Sequence, residues 1–490
     1  MNDKKHIHLI GICGTAMASL AGMLRQRGFR VTGSDAAAYP PMSDFLAGLG
    51  IPVAQPFDAR NLQPTPDLVV VGNAISRGNP ELEQVLDQRI PFCSLPQLLH
   101  DEFLRGKEVL VVAGTHGKTT TTSMLAWIFH TAGMQPSFLI GGIAENFGSS
   151  FHLGQGKHFI LEGDEYDTAF FDKGPKFLHY FPDAIILTSV EFDHADIYKD
   201  LDAVETAFKR LVNLIPRRGR IVAFDGMSPE APGAASLERC LSKAFCPVER
   251  YGGNDRADWR ITNLKLEPAR TVWTVLNKGR AWADLEFPLA GEYNVWNATA
   301  AAAMAAACGI AKEEIAAALK TFKSVKRRLE IKSQENGITI IDDFAHHPTA
   351  IAGTLKALRA RYAGSRLWAI VEPRSNTLRR RVLQGDLAAS LALADEVVIA
   401  SVFRSDAVPE NERLSLPELL KDIQRRGTQA RLIGEADEIV QTVAPEMRRG
   451  DVVAILSNGG FGGIYEKLPE RLRQLAEGAG LNSANAAGKG

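Results

Sequence analysis

Residues 109–125 read VLVVAGTHGKTTTTSML: four aliphatic residues run into Gly114-Thr115-His116-Gly117-Lys118-Thr119-Thr120, and a helix-like stretch follows. A strand that ends in a Gly-rich turn before a helix gathers backbone N–H groups and the positive end of the helix dipole at one point, which makes an anion site. Phosphate is the expected guest. Lys118 is placed against the β/γ-phosphates, and the Thr119 hydroxyl against the Mg²⁺ that neutralises them. The strict P-loop pattern has Gly at position 112, where this chain has Val112, so the match is to a shortened G-T-x-G-K-T form.

Outward from this turn the pattern repeats on both sides. The first hundred residues alternate strand-like segments (HIHLIGICG, FRVTGSD, DLVVVGN) with helix-like ones, which predicts a parallel sheet with crossover helices. A second series begins at EVLVVAG and runs through FLIGG, HFILEGDE, DAIILTSVEFD and GRIVAF. Residues 258–289 change to alternating short segments around an Asn-Lys-Gly turn, a small antiparallel addition. Beyond KRRLEI a third series follows, GITIIDDFAHHP to DVVAILSNGG. The expected fold class is α/β with three domains: a Rossmann-like domain over 1–106, a central P-loop domain over 107–323 and a third Rossmann-like α/β domain over 324–475. A flexible tail is expected over 476–490, where AEGAGLNSANAAGKG is small and polar.

Composition narrows the class. The chain has 490 residues, 45% hydrophobic and 23% charged, with a formal net charge of -1, which argues against a surface built for nucleic acid. Cys13, Cys93, Cys240, Cys246 and Cys308 form no CxxC pair, which suits a reducing compartment. The N-terminus does not resemble a signal peptide, and the Ala-rich run near residue 300 is too short to span a bilayer. A cytoplasmic protein without membrane or nucleic-acid partners is expected, as a monomer or weak homodimer.

Phosphate binding alone leaves a motor, a switch and a ligase open. Downstream, Glu162 ends one strand-like run, and Glu191, Asp193 and His194 end another. These groups suit a Mg²⁺ shell, although by composition either cluster could equally be a solvated loop. The first domain has its own Gly turn, with Gly11 and Gly14. Cys13 and Ala16 occupy two of the G-x-G-x-x-G positions, so a dinucleotide reading is weak even with Asp35 at the ribose-reading distance.

Taken in order, HLIGICGTAMASLAGMLRQRGFRVTGSD, YPPMS, VVGNAISRGNP, AGTHGKTTT, DEYDTAFFDK, EFDHADIY, RRLE, DDFAHHPTAI, EPRSNT and SNGGFGGI resemble the Mur ligases, the ATP-dependent amide-forming family of cell-wall synthesis. The likeness runs over essentially residues 6 to 470. It is strongest to the branch that joins the recycled tripeptide L-alanyl-γ-D-glutamyl-meso-diaminopimelate to UDP-N-acetylmuramate; the L-alanine-adding branch is the near alternative. A nicotinamide dehydrogenase would leave Lys118, Thr119 and Glu162 idle, and a regulatory nucleotide-binding module would leave the first domain idle.

The resemblance implies ATP and Mg²⁺ as cofactors, with ATP held by Gly114 to Thr120, Asn294, Asn297, Arg328 and Asp343. It implies Lys118, His194 and Arg328 as the catalytic set and Thr119, Glu162 and His194 as metal ligands. UDP-sugar contacts fall on Gly11, Gly14, Asp35, Asn73 and Ser76, and peptide contacts on Arg374, Asn376, His346 and His347. The two histidines could face either ATP or the peptide. Three features depart from or qualify the family pattern. Tyr293 replaces the usual His of the adenine motif, Thr188-Ser189 stands where Asn is frequent, and Lys209 falls where some members carry a carbamylated Lys. Closure before chemistry is expected, with motion near 106 and 324.

Overall fold

A computed structural model describes residues 5–38, 42–226 and 233–487. The first three residues of the YPPMS motif lie outside this set.

Among the described residues the first domain is a five-stranded parallel sheet. Its spatial order is Val53–Ala54, Arg30–Ser34, His6–Ile10, Leu68–Val71, Phe92–Ser94. The strand order therefore reverses beside His6–Ile10, and the crevice where ligands bind in such sheets opens there. The Gly11 turn sits at that point.

The central domain carries a ten-stranded sheet in which Glu108–Ala113 lies between Ala184–Leu187 and His158–Gly163, all parallel. Every residue of Val109–Ala113 is buried, as a strand covered on both faces requires. Trp259–Leu266, Thr271–Asn277 and Arg280–Phe287 extend the sheet as an antiparallel meander, the expected addition. The Ala-rich run forms the helix Glu292–Ala307, which packs on the helix Lys118–Thr131 that follows the Gly-rich turn.

In the third domain, Ile338–Asp343, Val452–Leu456, Leu367–Val371, Glu396–Ile399 and Gln429–Leu432 run parallel, with Glu330–Glu335 antiparallel at the edge. Its core divides by strand parity. Ile341, Ala369 and Val371 join one apolar cluster, and Ile340, Trp368 and Ile370 the other. The first domain divides likewise: Ile10, Val69 and Val71 join a cluster of their own, and Ile7, Leu9 and Val70 join the central domain in one continuous cluster that runs to Phe322. No helix among the described residues is long and apolar enough to cross a membrane. The last helix spans Ile464–Ala487, so the tail expected over 476–490 overlaps its end and runs on into residues outside the described set.

Candidate active site

The buried strand Glu108–Ala113 delivers the chain to Gly114, whose φ is +135°; a Cβ there would strike Thr188 Oγ1 and the Ser189 backbone. Gly117 caps the following helix at φ +79°, and a Cβ there would strike Asn297. Both positions therefore require glycine. The Thr188-Ser189 pair shapes the turn: Thr188 Oγ1 donates to the His116 carbonyl at 2.5 Å, and Ser189 Oγ accepts from the His116 N–H at 3.0 Å. No side chain caps the helix, so its first-turn N–H groups remain available to an anion.

Lys118 Nζ donates to the Gly114 carbonyl (2.7 Å) and to both oxygens of Glu165 (2.8 and 3.0 Å). His194 Nε2 lies 3.2 Å from the same carboxylate. Burial works against each of these charges. It is outweighed in all three: Lys118 and His194 are raised, and Glu165 is held below the usual carboxylate range by Lys118 and His194. Beside them, Thr119 Oγ1 donates to Glu162 Oε1 (2.8 Å) and the Gly141 N–H to Oε2 (2.7 Å). Burial, and then the charge of Asp164, push the Glu162 carboxyl up. A half-buried carboxylate whose charge burial and Asp164 oppose, beside a hydroxyl, a second carboxylate and an imidazole, fits a hard dication that keeps part of its shell for phosphate and water. Glu165 is the residue that sequence reasoning passed over, although the stretch quoted around Glu162 contains it.

The third domain reaches this cluster through Arg328, whose Nη2 comes within 3.5 Å of Thr119 Oγ1 while its guanidinium lies over the Phe344 ring. Its neighbour has a different task. Arg327 binds Asp342, the Ser457 and Gly459 carbonyls and Tyr465, all within the third domain. Asp343 accepts from the N–H groups of Leu329 and Ala345 and from Thr354, so its carboxylate braces the segment that carries Arg328. Asn294 and Asn297 are buried against the turn and linked at 3.3 Å.

In the first domain, the N–H groups of Gly11 and Ile12 both donate to the Ser34 carbonyl, and that of Cys13 to Asp35 Oδ2. Asp35 thus closes the turn at the switch point. Burial and Asp35 push the Cys13 thiol up to about 11, away from nucleophile chemistry. Gly14 precedes the helix Thr15–Gln26 without a side-chain cap. Asn73 and Ser76 are exposed on the facing loop, whose Ile75 packs against Gly11.

The paired histidines separate. His346 joins Asp193, His194, Arg374, Arg379 and Arg404 around a cavity of about 360 Å³ between the second and third domains. Asn376 lines it too and donates to Asp196 Oδ2 at 2.6 Å. His347 instead turns to the phosphate turn, with its ring 4.6 Å from that of His116. Arg374 stacks 3.7 Å from the Phe403 ring centroid. Arg379 and Arg404 come from segments that carry no motif, and only the fold brings them here.

Comparison with known proteins agrees with this layout. The Mur ligase family, catalytic domain model matches residues 6–105, the Mur ligase middle domain 112–305, and the Mur ligase, glutamate ligase domain 327–459. The chain belongs to the Mur ligase family. It is therefore a ligase that forms amide bonds. The UDP-N-acetylmuramate–L-alanyl-gamma-D-glutamyl-meso-2,6-diaminoheptandioate ligase of Escherichia coli K12 is 43% identical over 475 residues, covering 96% of this chain and 99% of that one. A UDP-N-acetylmuramate–L-alanine ligase of Desulfitobacterium hafniense is 33% identical over 462 residues, covering 94% of this chain and 98% of that one. Among solved structures, a murein peptide ligase from Psychrobacter arcticus 273-4 superposes with a TM-score of 0.73 at 38% identity, covering 96% and 99% of the two chains.

Against the Mur ligase pattern, Tyr293 packs between Gly291 and Gly353, so the ring in place of the usual His fills the seam between the central and third domains. Lys209 sits on the helix Leu201–Leu214 and pairs with Glu205, which Arg239 also holds.

Proposed function

We propose that the chain joins L-alanyl-γ-D-glutamyl-meso-diaminopimelate to UDP-N-acetylmuramate in the cytoplasm, with ATP and Mg²⁺, as a step of peptidoglycan recycling. The observation that carries this reading is the cavity that sets Arg374, Arg379 and Arg404 opposite His194. The tripeptide brings three free carboxylates and L-alanine one, so an arginine-rich cavity next to the phosphate cluster favours the peptide. The relatives named for the tripeptide reaction also share more of this sequence than those named for L-alanine.

On this reading the first domain (1–106) holds the UDP-sugar at Gly11, Gly14, Asp35, Asn73 and Ser76. The central domain (107–323) holds ATP at Gly114 to Thr120, Asn294 and Asn297, and Thr119, Glu162 and His194 hold Mg²⁺. The third domain (324–475) holds the peptide. A carboxylate has no good leaving group, and ATP supplies one by phosphorylating it. Lys118 leaves Glu165 to meet the transferred phosphate, and Arg328 approaches from the other side, so both neutralise charge where it develops. The incoming amine must lose a proton. His346 Nδ1 donates to the Phe344 carbonyl at 2.9 Å, which leaves Nε2 with a lone pair facing the cavity, and burial keeps the ring below its usual value and neutral. His346 is the base this geometry supports.

The test is ADP release with Mg²⁺, ATP and UDP-N-acetylmuramate, with added tripeptide compared with added L-alanine. Turnover with the tripeptide alone is expected; turnover with L-alanine would assign the biosynthetic step instead, and turnover with neither would end the tripeptide reading of this cavity.

A further inference from the structure

The third domain meets the phosphate turn a second time, outside the cavity. His116 in the turn, Glu191 after the strand Ala184–Leu187, and His347 at the N-cap of the helix Pro348–Arg361 each offer a ligand atom, and the three atoms lie within 4.8 Å of one another. None of them belongs to the Thr119, Glu162 and His194 set.

Three separate features prepare these side chains for a cation. His116 Nε2 is buried, has no hydrogen-bond partner and lies 3.5 Å from Glu191 Oε2. A buried ring nitrogen left unsatisfied is unusual in a folded protein. His347 Nε2 donates to the Phe192 carbonyl at 3.2 Å, which fixes the tautomer and leaves the lone pair on Nδ1. That lone pair is engaged only by a long 3.3 Å bond from the Thr349 N–H. Glu191 Oε2 accepts from the Thr349 hydroxyl at 2.7 Å, which aims the carboxylate toward the two rings.

We propose that His116, Glu191 and His347 form a site for a borderline transition-metal dication of the Zn²⁺ class, with the fourth position open. Two imidazoles and one carboxylate are a recurrent zinc donor set, and a set in which nitrogen is the majority suits Mg²⁺ less than one in which oxygen is. Tetrahedral Zn²⁺ with bonds of about 2.0–2.1 Å places its ligand atoms roughly 3.3 Å apart, so closing the set takes side-chain shifts of about 1 Å. Two ligands come from the central domain and one from the third, so the ion ties the two together and opposes their separation. Micromolar Zn²⁺ then slows a ligase that must open to exchange substrates, without taking the place of the catalytic Mg²⁺.

The experiment is titration of the metal-stripped full-length chain with Zn²⁺, and with Co²⁺ as the spectroscopic probe. One equivalent is expected, with the intense visible bands of four-coordinate Co²⁺ and no thiolate charge-transfer band, since no cysteine belongs to the set. His347→Asn keeps an N-cap acceptor for its helix and Glu191→Gln keeps the shape of the side chain. Each is expected to weaken binding about 100-fold or more, because changes to outer partners alone weaken metal sites 10–100-fold. Thermal unfolding in metal-free buffer checks that each variant folds, and either one suffices for the comparison. His194→Ala is expected to keep the site. Unchanged binding in the folded variants, loss of binding in His194→Ala, a thiolate band, or no stoichiometric ion in the parent chain would each overturn the assignment.

Discussion

The molecule has two seams between domains, and they are built from opposite materials. Between the first and central domains the contact is mainly apolar, with one buried bond between the Ser19 and Ser150 hydroxyls: Leu20 and Leu24 of the helix Thr15–Gln26 share one buried cluster with Phe129, Phe138 and Phe151. Phe151 lies against Gly22 of that helix and edge-on to Phe45 at 6.1 Å. Between the central and third domains the contact is polar: Thr377 Oγ1 donates to Asp193 (2.5 Å), Asn376 to Asp196 (2.6 Å) and Thr349 to Glu191 (2.7 Å). Separating the first seam exposes apolar surface with no compensation, whereas polar contacts at the second exchange for water at a small net change. The chain between them also differs. Ser324, Arg327 and Leu329 all have positive φ (86°, 64° and 49°), a run of non-glycine residues in the left-handed region that marks a strained connection. Of the two boundaries where closure motion is expected, near 106 and near 324, the chemistry of the seams favours the second.

Phe151→Ala strikes the apolar seam and carries the largest expected effect, a loss of about 3–5 kcal/mol in stability. Denaturant unfolding should show the first two domains melting together at a lower midpoint. Two separated transitions for these domains in the parent chain would break the comparison. Arg328→Ala strikes the polar seam and is expected to lower kcat about 10²–10³-fold, the range for removing one preorganised charge-stabilising donor. Its unfolding midpoint should barely move, because the bonds that hold the third domain belong to Arg327. A large drop in stability would make Arg328 a strut rather than a phosphate contact.

That distinction between adjacent arginines shows where the sequence was legible. Strand and turn signals are local, so the main sheet of each domain, the antiparallel meander and the glycine positions could be read from spacing and residue type; the small sheet of Asp167–Ala169 and Asp172–Pro175 was not. Resemblance then supplied Arg328 rather than Arg327, and Glu162 rather than Glu165. It could not show that Lys118 rests on Glu165, because that pair joins a helix start to a loop 47 residues away. Arg379 and Arg404 were invisible for the same reason. Neither lies in a motif, and their approach to His194 depends on how one domain sits on another. His346 and His347 are neighbours in the sequence, but the backbone between them turns one to the cavity and the other to the phosphate turn.

A subtler change at the polar seam, on the rim of the cavity, should shift the closed population. Thr377→Val removes the hydroxyl that Asp193 accepts, leaving a buried oxygen short of a donor, worth about 1–3 kcal/mol. Small-angle scattering should show a more extended average shape, and the apparent KM for the peptide should rise more than kcat falls. An unchanged radius would mean that the seam is held by something other than these bonds.

The smallest expected effect is on pH, and its sign separates the seams. Burial first, and then the nearby His116, lower His347 to about 4, while Asp193 and Glu191 pull the other way. An opened or unfolded chain therefore binds this proton more readily between pH 6.5 and 4. The contribution of neutral His347 to closure is complete above about 6.5. It fades as pH falls toward 4 and is lost below that. His194 has the opposite sign: its pKa is raised, so its contribution fades as pH rises through that value. Its pairing with Glu165 lies inside the central domain, although the ring also lines the cavity at the seam. Opening relieves only part of the burial of His347, so the change stays below the ~1.4 kcal/mol per pKa unit that full exposure would bring. Hydrogen exchange at pH 7.5 and at pH 5, in metal-free buffer, should show protection lost around Phe192 and Pro348–Arg361 at the lower pH. Protection should persist at Phe151 and the helix Thr15–Gln26, and the His347→Asn variant should remove the difference. Equal loss at both seams would mean that acid acts on the whole fold and that the polar seam is not its point of release.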